Sequence, residues 1–282
     1  AGRQRMSVAM RLGEAWRQAC RRIDRLDARL LLEHVCGCSH ADLIARPELE
    51  ITESRATRLE ELLRRRESGE PLAYLLGSAW FCGLEFNVGP AVLIPRPDTE
   101  VLVNVAAEKA IALESPAIVD LGTGSGIVAI LIARLCPRAQ VTAVDVSSVA
   151  LDVARVNAQR HGVNIRFREG DWYAPLGDER FDLIVSNPPY VVAGDPHLQQ
   201  NGLPFEPIQA LTDGIVGGDG LACIRRLIDG ASAHLHAGGW LLMEHGYDQA
   251  VEVRRLLAQA GFDEVASWRD SAGIERVSGG RA

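Results

Sequence analysis

Residues 1–72 carry the apolar spacing of amphipathic helices. Over Ile23–Val35, apolar side chains follow the i, i+3, i+7, i+8 spacing that places them on one helical face. The residues of that face are Ile23, Leu26, Leu30, Leu31 and His34. Gly37 follows, and a glycine past the last turn commonly ends a helix. A second helix is predicted over Ser54–Glu67, so residues 1–72 are predicted to form a helical domain.

Residues 73–95 change to the alternation that is typical of strands. Two segments alternate apolar and polar side chains, Trp80–Phe86 and Val88–Ile94. Glycine interrupts the pattern at Gly83 and again at Gly89. We therefore predict a β-hairpin linker over residues 73–95.

From residue 96 to residue 282, apolar runs alternate with helical patterns, beginning with a helix that Asp98 or Thr99 can cap. The predicted strands are Ala117–Leu121, Gln140–Val144, Asn164–Arg168, Phe181–Ser186, Gly239–Glu244, Phe262–Trp268 and Glu275–Ser278. The predicted helices are Thr99–Leu113, Ile127–Leu135, Ser148–His161, Leu221–Leu235 and Asp248–Ala260. Such alternation indicates an α/β fold with a parallel, doubly wound sheet.

The tetrapeptide Asn187-Pro188-Pro189-Tyr190 directly follows the predicted strand Phe181–Ser186. Parallel sheets bind ligands at the carboxyl ends of their strands, so the tetrapeptide is expected at a binding site. Its prolines fix the backbone and remove two N–H donors, which leaves a stiff corner with a carboxamide, carbonyl oxygens and an aromatic ring. Those groups suit a planar –NH2 group that is held by its two hydrogens.

A glycine-rich turn is the first sign of a cofactor. The run Asp120-Leu121-Gly122-Thr123-Gly124-Ser125-Gly126 follows one predicted strand and opens a helix, so its backbone can approach a ligand closely. Asp145 ends the next strand, where a carboxylate can accept hydrogen bonds from ribose hydroxyls. After the third strand, Asp171 can meet an adenine amino group and Trp172 can pack on its ring.

The same turn departs from the dinucleotide-binding fingerprint. That fingerprint requires glycine at the sixth position counted from Gly122, and Ile127 stands there. The carboxylate of Asp120 would also repel a pyrophosphate. A cofactor with an ammonium group and no phosphate fits better, and we predict S-adenosylmethionine.

Composition limits the remaining possibilities. The 282 residues carry a net charge of −7, which argues against a broad nucleic-acid surface. No apolar run approaches the ~18 residues of a membrane span. Ala1–Met6 lacks the apolar core of a secretion signal, and the cysteines show no disulfide-scaffold spacing, so we expect a cytoplasmic protein. The run Arg64-Arg65-Arg66 is either a solvated helix face or a docking patch for an acidic or RNA-bearing partner.

One cluster contains residue types that bind zinc, namely His34, Cys36, Cys38 and His40. Its members stand at every second position, whereas zinc sites usually leave two or more residues between the members of a pair. Because the preceding residues are helical, the four side chains are not expected to share one face. We predict no metal site.

Four segments together resemble the release-factor glutamine N5-methyltransferases. They are Gly69–Tyr74, Leu93–Glu100, Asp120–Gly126 and Asn187–Tyr190. Many methyltransferases share the glycine turn, and enzymes that methylate planar nitrogens share Asn-Pro-Pro-Tyr, whereas Ile94–Glu100 selects this family. The resemblance implies a class I S-adenosylmethionine-dependent methyltransferase, with a methyltransferase domain over residues 96–282 and substrate recognition by residues 1–72.

The resemblance also implies the substrate, which is the glutamine of a Gly-Gly-Gln loop in peptide chain release factors. No membrane and no direct nucleic-acid substrate are expected. Asn187 Oδ1 and the Pro188 carbonyl would each accept one N–H of the amide, Tyr190 would pack against it, and Pro189 would complete the substrate site. The implied cofactor-binding residues are Gly122, Thr123, Gly124, Ser125, Gly126, Asp145, Asp171, Trp172 and Asn187.

Two other functions stay open at this point. An adenine-N6 nucleic-acid methyltransferase would use the same tetrapeptide on an exocyclic amine, with the base flipped into the pocket. A regulatory protein would bind the cofactor without catalysis. Chain order also places Glu206, Glu244 and His245 near the cleft, with no role assigned to them.

Overall fold

Residues 10–282 are described by a computed structural model, in which the chain divides into two compact units. The first unit ends at Gly77, and the second spans Ser78–Ala282. The domain boundaries expected after residues 72 and 95 stay predictions. The expectation about a secretion signal concerns Ala1–Met6, which lies outside the described residues. Within residues 10–282, none of the helices combines the length and the apolarity that crossing a membrane requires.

The first unit consists of helices around a small apolar core. They are α1 (Leu12–Ala19), α2 (Arg25–Cys36), α3 (His40–Ala45), α4 (Glu53–Glu67) and α5 (Leu72–Leu76). α2 starts after Asp24, whose carboxylate accepts the N–H groups of Leu26 and Asp27, and it ends at Gly37 with φ of 63°. Both helices predicted here are observed, with slightly shifted starts because Asp24 and Thr52 cap them.

The basic run of the first unit lies on α4, and its arginines are paired with acidic neighbours. Arg65 donates to both carboxylate oxygens of Glu70, at 2.8 and 2.7 Å. Arg66 donates to Asp27 at 2.7 Å. These ion pairs favour a solvated helix face over a docking patch.

The His and Cys cluster is divided between two helices. His34 and Cys36 lie on α2, Cys38 follows that helix, and His40 begins α3. Burial raises the pKa of the Cys36 thiol and of the Cys38 thiol. In the described part of the chain, no group of three or more His, Cys, Asp or Glu side chains is arranged to hold a metal ion.

The second unit opens with a β-hairpin of β1 (Ser78–Phe81) and β2 (Leu84–Asn87). The sequence predicts a hairpin in this region but assigns its second strand wrongly to Val88–Ile94. Cys82 and Gly83 form the turn, with φ of 48° and 74°. Positive φ at both turn residues fits the right-handed twist of paired strands, so the chain reverses inside the segment predicted as one strand.

A seven-stranded sheet forms the centre of the second unit, and two short strands pair apart from it. The strands after the hairpin are β3 (Ala117–Leu121), β4 (Gln140–Asp145), β5 (Arg166–Glu169), β6 (Phe181–Ser186), β7 (Val191–Ala193), β8 (Thr212–Val216), β9 (Leu235–Glu244), β10 (Asp263–Arg269) and β11 (Glu275–Arg281). The order across the large sheet is β10-β11-β9-β6-β3-β4-β5, and β7 pairs with β8.

Helices cover both faces of the large sheet. They are α6 (Glu100–Ile111), α7 (Ile127–Leu135), α8 (Ser148–Arg160), α9 (Ala222–His234) and α10 (Ala250–Gln259). Successive residues of one strand face opposite cores, so Ile118 packs with residues of α6 and α7. The adjacent Val119 packs with residues of α9 and α10. This arrangement agrees with the predicted doubly wound α/β fold.

β11 departs from the all-parallel sheet that the alternation predicts, because it is antiparallel to both of its neighbours. Only residues 270–274 connect β10 to β11. That connection is too short for the crossover that joins parallel neighbours, which needs a dozen residues or more. The other neighbouring strands of this sheet are parallel, so the carboxyl ends of β3, β4 and β6 lie at one edge.

Candidate active site

β3 and β6 lie side by side, so the segments that follow them meet at one edge of the sheet. Ser186, the last residue of β6, donates a 2.6 Å hydrogen bond to the carbonyl of Leu121 at the end of β3. Asn187 directly follows Ser186, and Gly122 directly follows Leu121. The structure therefore brings the tetrapeptide and the glycine-rich turn together.

The glycine-rich turn uses backbone conformations that side chains disfavour. Gly122, Gly124 and Gly126 have φ of 76°, 55° and 84°. A Cβ on Gly126 would lie 3.0 Å from the Cβ of Ala154, so glycine at this position also lets α7 approach α8. The Gly124 N–H donates to Asp145 Oδ2 at 2.8 Å, which fixes the turn against the end of β4.

A cavity of about 280 Å³ opens at this edge. Its volume is close to the ~300 Å³ at the lower end of small-molecule pockets. The predicted cofactor residues that line it are Gly122, Thr123, Gly124, Ser125, Asp145, Asp171, Trp172 and Asn187. Gly126 lies outside this lining, where it serves the packing of the two helices. Of the remaining tetrapeptide residues, Pro189 also lines the cavity.

Four carboxylates line the cavity, those of Asp120, Asp145, Asp171 and Asp213. Asp120 is 1% exposed, and burial raises its pKa to about 7, against the opposing effect of the hydrogen bond that the Thr123 hydroxyl donates at 2.6 Å. Burial also raises the pKa of Asp145, whose two oxygens accept backbone N–H groups at 2.8 and 2.9 Å. A ligand with a positive charge or hydroxyl donors would stabilise the ionised forms of these acids.

Trp172 has φ of 50°, a strained conformation for a bulky residue. A Cβ built on Gly122 would lie 3.4 Å from its ring, so the indole packs close to the first glycine of the turn. The neighbouring carboxylate of Asp171 accepts a 2.6 Å hydrogen bond from Arg226. The sequence predicts that Asp171 contacts an adenine amino group. Such an amino group would therefore share the Asp171 carboxylate with Arg226.

The carboxamide of Asn187 is held by Thr99. Its Nδ2 donates to Thr99 Oγ1 at 3.1 Å, and both residues line the cavity. Thr99 stands immediately before α6, but its side chain makes no capping hydrogen bond, so the capping role predicted for it is wrong. Asp98 lies 3.2 Å from Arg276 in an ion pair. The hydroxyl of Thr99 thus accepts a hydrogen bond from Asn187 of the tetrapeptide and does not cap α6.

Tyr190 and Glu244 form a buried pair beside the tetrapeptide. The Tyr190 hydroxyl donates to Glu244 Oε1 at 3.0 Å. Burial and the adjacent carboxylate raise the pKa of Tyr190 well above its usual range, and burial raises the pKa of Glu244 to about 7. Pro188 and Tyr190 do not line the cavity. The substrate contacts expected of these two residues stay predictions.

Glu206 joins two segments of the cavity wall. One of its oxygens accepts the Ile94 N–H at 3.0 Å, and the other pairs with Arg96. Ile94 and Arg96 line the cavity, as does Pro207, which directly follows Glu206. Among the described residues of this lining, Arg96 is the one cationic side chain, and Glu206 neutralises it. The cavity is therefore poorly suited to a phosphate group.

Several residues of the site were not foreseen from the sequence. The unforeseen part of the lining near β8 is Pro207, Gln209, Ala210, Thr212 and Asp213. This stretch consists of a single 3₁₀ turn, Ile208–Ala210, and the start of β8, which are too short to produce a periodic sequence pattern. His245, expected near the cleft, does not line the cavity, and its Nε2 lies 2.7 Å from Ser278 Oγ on β11.

Comparison with known proteins decides the family. Residues 14–77 match the model of the PrmC N-terminal domain, and residues 97–201 match that of the methyltransferase small domain. The release factor glutamine methyltransferase of Bordetella pertussis is 50% identical, over 92% of this chain and 95% of its own length. The chain belongs to the release factor glutamine methyltransferase family. The relative from Burkholderia pseudomallei is also 50% identical, over 92% of each chain.

Membership of the release factor glutamine methyltransferase family agrees with the motif resemblance and with the fold. A solved methyltransferase from Pyrococcus furiosus covers 82% of this chain and 98% of its own, with a TM-score of 0.53 and 19% identity. That likeness concerns the fold alone. Together with the matched methyltransferase domain and the seven-stranded sheet, it confirms the predicted class I methyltransferase fold.

Proposed function

We propose that this chain is an enzyme that transfers a methyl group from S-adenosylmethionine to the side-chain amide nitrogen, N5, of the glutamine in the Gly-Gly-Gln loop of peptide chain release factors. The observation that carries the proposal is the position of Asn187. Its carboxamide adjoins a cavity that the glycine-rich turn and four carboxylates line. A group suited to holding an amide thus lies beside a site suited to a cationic cofactor.

The cavity suits S-adenosylmethionine. The buried Asp120 and the half-buried Asp145 complement an ammonium group and ribose hydroxyls. Trp172 offers an aromatic face to a purine, and Arg96 is neutralised within its ion pair. The residues that would hold the cofactor are Gly122, Thr123, Gly124, Ser125, Asp145, Asp171, Trp172 and Asn187, whereas Gly126 would shape the turn from outside the lining. When bound, S-adenosylmethionine supplies an electrophilic methyl group and leaves as S-adenosylhomocysteine, and the methylated nitrogen releases one of its two protons.

The tetrapeptide would position the substrate amide. Asn187 Oδ1 and the Pro188 carbonyl would each accept one N–H, while Pro189 and Tyr190 would bound the site. An amide nitrogen is a weak nucleophile, because its lone pair is delocalised into the carbonyl. Holding both hydrogens fixes the direction of that lone pair, and positioning of this kind supplies a large part of an enzymatic rate.

The two alternatives have less support. Adenine-N6 methylation of a nucleic acid would favour a basic groove, but the chain carries a net charge of −7, and Arg65 and Arg66 of the basic run are paired with acids. A cofactor-binding protein without catalysis would have no use for an oriented carboxamide at the cavity.

The partner we propose is the release factor itself, recognised with the help of residues 1–72. Because release factors act in translation, we also propose that the enzyme works in the cytoplasm. Neither membrane nor nucleic acid is needed as a partner in this scheme.

Methyl transfer can be measured directly. The chain is incubated with methyl-labelled S-adenosylmethionine and either a purified release factor or DNA. We expect label on the release factor, lost when its loop glutamine is replaced and lost again when the enzyme carries Asn187→Ala. Label found on DNA alone would reject the proposal.

A further inference from the structure

A buried glutamine, Gln249, holds the last residue of the tetrapeptide, and it stands directly before α10. The N–H groups of its Nε2 donate to the Tyr190 carbonyl at 3.1 Å and to the Asp219 carbonyl at 3.4 Å. Its Oε1 accepts the Gly246 N–H at 2.8 Å. Neither Gln249 nor Tyr190 lines the cavity, and the proposed reaction gives Gln249 no role.

The backbone groups around Gln249 fix the orientation of its carboxamide. A backbone N–H only donates and a carbonyl oxygen only accepts. The carboxamide atom beside the Gly246 N–H must therefore be the oxygen, and the atom beside the Tyr190 carbonyl must be the nitrogen. A reversed carboxamide would place donor against donor at Gly246 and acceptor against acceptor at Tyr190. Gln249 consequently has one stable orientation, in which it donates to Tyr190.

The residue that orients Gln249 is itself held from two sides. The Gly246 carbonyl accepts the backbone N–H of Gln249 at 3.1 Å. It also lies 2.9 Å from His245 Nδ1, which must donate to it because a carbonyl only accepts. The other ring nitrogen of His245 lies 2.7 Å from Ser278 Oγ on β11. Gln249 is thus connected through Gly246 and His245 to a strand of the large sheet.

The tetrapeptide is stiff between its ends, because its two prolines have fixed φ angles. At its first residue, the Asn187 carboxamide donates to Thr99. At its last residue, the Tyr190 carbonyl accepts the hydrogen bond from Gln249. A shift of the Tyr190 backbone would therefore be transmitted through the prolines to the Pro188 carbonyl and to Asn187.

Gly220 lies against the hydrogen bond between Gln249 and Tyr190. It is buried, with φ of 72°. A Cβ built on Gly220 would overlap the Tyr190 carbonyl oxygen and would lie 3.2 Å from Gln249 Nε2. The Tyr190 carbonyl is therefore confined between the side chain of Gln249 and the backbone of Gly220.

We propose that Gln249 is a positioning residue, which anchors the Tyr190 carbonyl and thereby directs the Asn187 carboxamide and the Pro188 carbonyl toward the substrate amide. This inference rests on the proposed function and deepens it. The hydrogen bond between the Tyr190 hydroxyl and Glu244 holds the phenol ring. The hydrogen bond from Gln249 holds the backbone, which is the part that continues into the two prolines.

Two variants disturb this arrangement from opposite sides. Gln249→Met keeps a similar length and removes both hydrogen-bonding groups of the side chain. Gly220→Ala leaves Gln249 intact and displaces the Tyr190 carbonyl. We expect each change to lower kcat for release factor methylation on the order of 10- to 100-fold, as misplaced reacting groups do. Kd for S-adenosylmethionine, measured by titration calorimetry, should keep its wild-type value, because neither residue lines the cavity.

Each variant has a matched control. Val253→Ala removes two buried methyl groups from α10 and leaves the Gln249 carboxamide unchanged. It lowers stability by creating a cavity. Gly162→Ala adds a Cβ at a similar φ of 64°, where nothing lies within 4 Å, so it introduces backbone strain without a collision. Both controls should keep the wild-type kcat, and urea unfolding measures the stability that each variant loses.

A second readout needs no turnover. The side-chain amide signals of nitrogen-labelled protein are recorded by nuclear magnetic resonance, and those of Asn187 are identified by their loss in Asn187→Ala. Displacement of the tetrapeptide changes the surroundings of this amide, so its signals should shift in Gln249→Met and in Gly220→Ala. They should keep their wild-type positions in both controls.

Wild-type kcat in both Gln249→Met and Gly220→Ala would overturn the inference. A loss of kcat in Val253→Ala as large as that in Gln249→Met would also overturn it, because lost stability would then explain both. If Gln249→Met does not fold, Gly220→Ala and its control decide the question.

A wild-type enzyme that methylates no release factor would defeat the proposed function instead. The Asn187 signals alone would then test whether Gln249 holds the tetrapeptide, and unchanged signals in Gln249→Met would overturn the inference.

Discussion

A single buried amide, Asn157 on α8, connects the hairpin to the glycine-rich turn. Its Oδ1 accepts the Asn87 N–H at 2.7 Å, and its Nδ2 donates to the carbonyls of Asn87 and Ser125 at 3.0 and 2.9 Å. Nothing in the sequence indicates this role, since an asparagine within a helical pattern is more often at the surface. Its partners lie 70 and 32 residues away. Only the folded structure shows that the amide is satisfied from three directions.

We expect Asn157→Ala to destabilise the second unit. The change would leave the Asn87 N–H and two carbonyls without their partner in a buried place, which costs about 1–3 kcal/mol. Urea unfolding of the whole chain measures the loss. Asn164→Ala is the matched control, because Asn164 is exposed. Equal stability of the two variants would show that the Asn157 amide does not support the turn.

At the scale of elements, patterns with a strong period predicted the structure well. The helix Ile127–Leu135 and the strand Phe181–Ser186 have the predicted bounds. The hairpin was misplaced because Trp80–Phe86 was interpreted as one strand, although the glycine inside it, Gly83, belongs to the two-residue turn. The antiparallel β11 was not predicted, because the sequence pattern locates each strand but does not show the direction in which the strand joins the sheet. The fold class could therefore be predicted from the sequence, but not every pairing.

The bond between Glu206 and the segment at Ile94 is another feature that no local pattern contains. The two residues are 112 positions apart in the chain. A sequence motif such as Ile94–Glu100 identifies the family, but it does not show which distant residue forms hydrogen bonds with the segment. In the structure, the carboxylate of Glu206 holds this segment and the one before Pro207 together at the cavity.

We expect Glu206→Gln to weaken cofactor binding. Glutamine keeps one acceptor and adds an –NH2 group, so either the Arg96 contact or the Ile94 contact becomes donor against donor. A loss of about 1 kcal/mol would raise Kd for S-adenosylmethionine roughly fivefold, as titration calorimetry can measure. Glu252→Gln is the control, since Glu252 belongs to an exposed pair on α10. A Kd equal to that of the control would contradict the role of Glu206.

At the scale of the whole molecule, the site carries acids whose burial opposes their ionisation. Asp120 is the clearest case, with its pKa raised by burial from 3.8 to about 7. Between these values the folded protein holds a proton that the unfolded chain has lost. The contribution of Asp120 to the free energy of unfolding is therefore greatest at low pH and decreases as the pH rises through this window.

We expect Asp120→Asn to remove this pH dependence. The difference in free energy of unfolding between wild type and variant should change by about 1 kcal/mol per pH unit across the window, with the wild type losing stability as the pH rises. Urea unfolding at a series of pH values measures both proteins. Asp145 has a raised pKa as well and stays in the variant, so the comparison isolates one acid. Parallel stability curves would contradict the assignment.

The central claim concerns the atom that receives the methyl group, and acid hydrolysis of the methylated release factor tests it most directly. Methyl on the side-chain nitrogen of glutamine leaves as methylamine when the amide is hydrolysed, whereas methyl on carbon does not. We predict labelled methylamine from the loop glutamine after incubation with the wild-type chain, and none with Asn187→Ala. Label that remains on an amino acid of the hydrolysed release factor, or label confined to nucleic acid, would contradict the account.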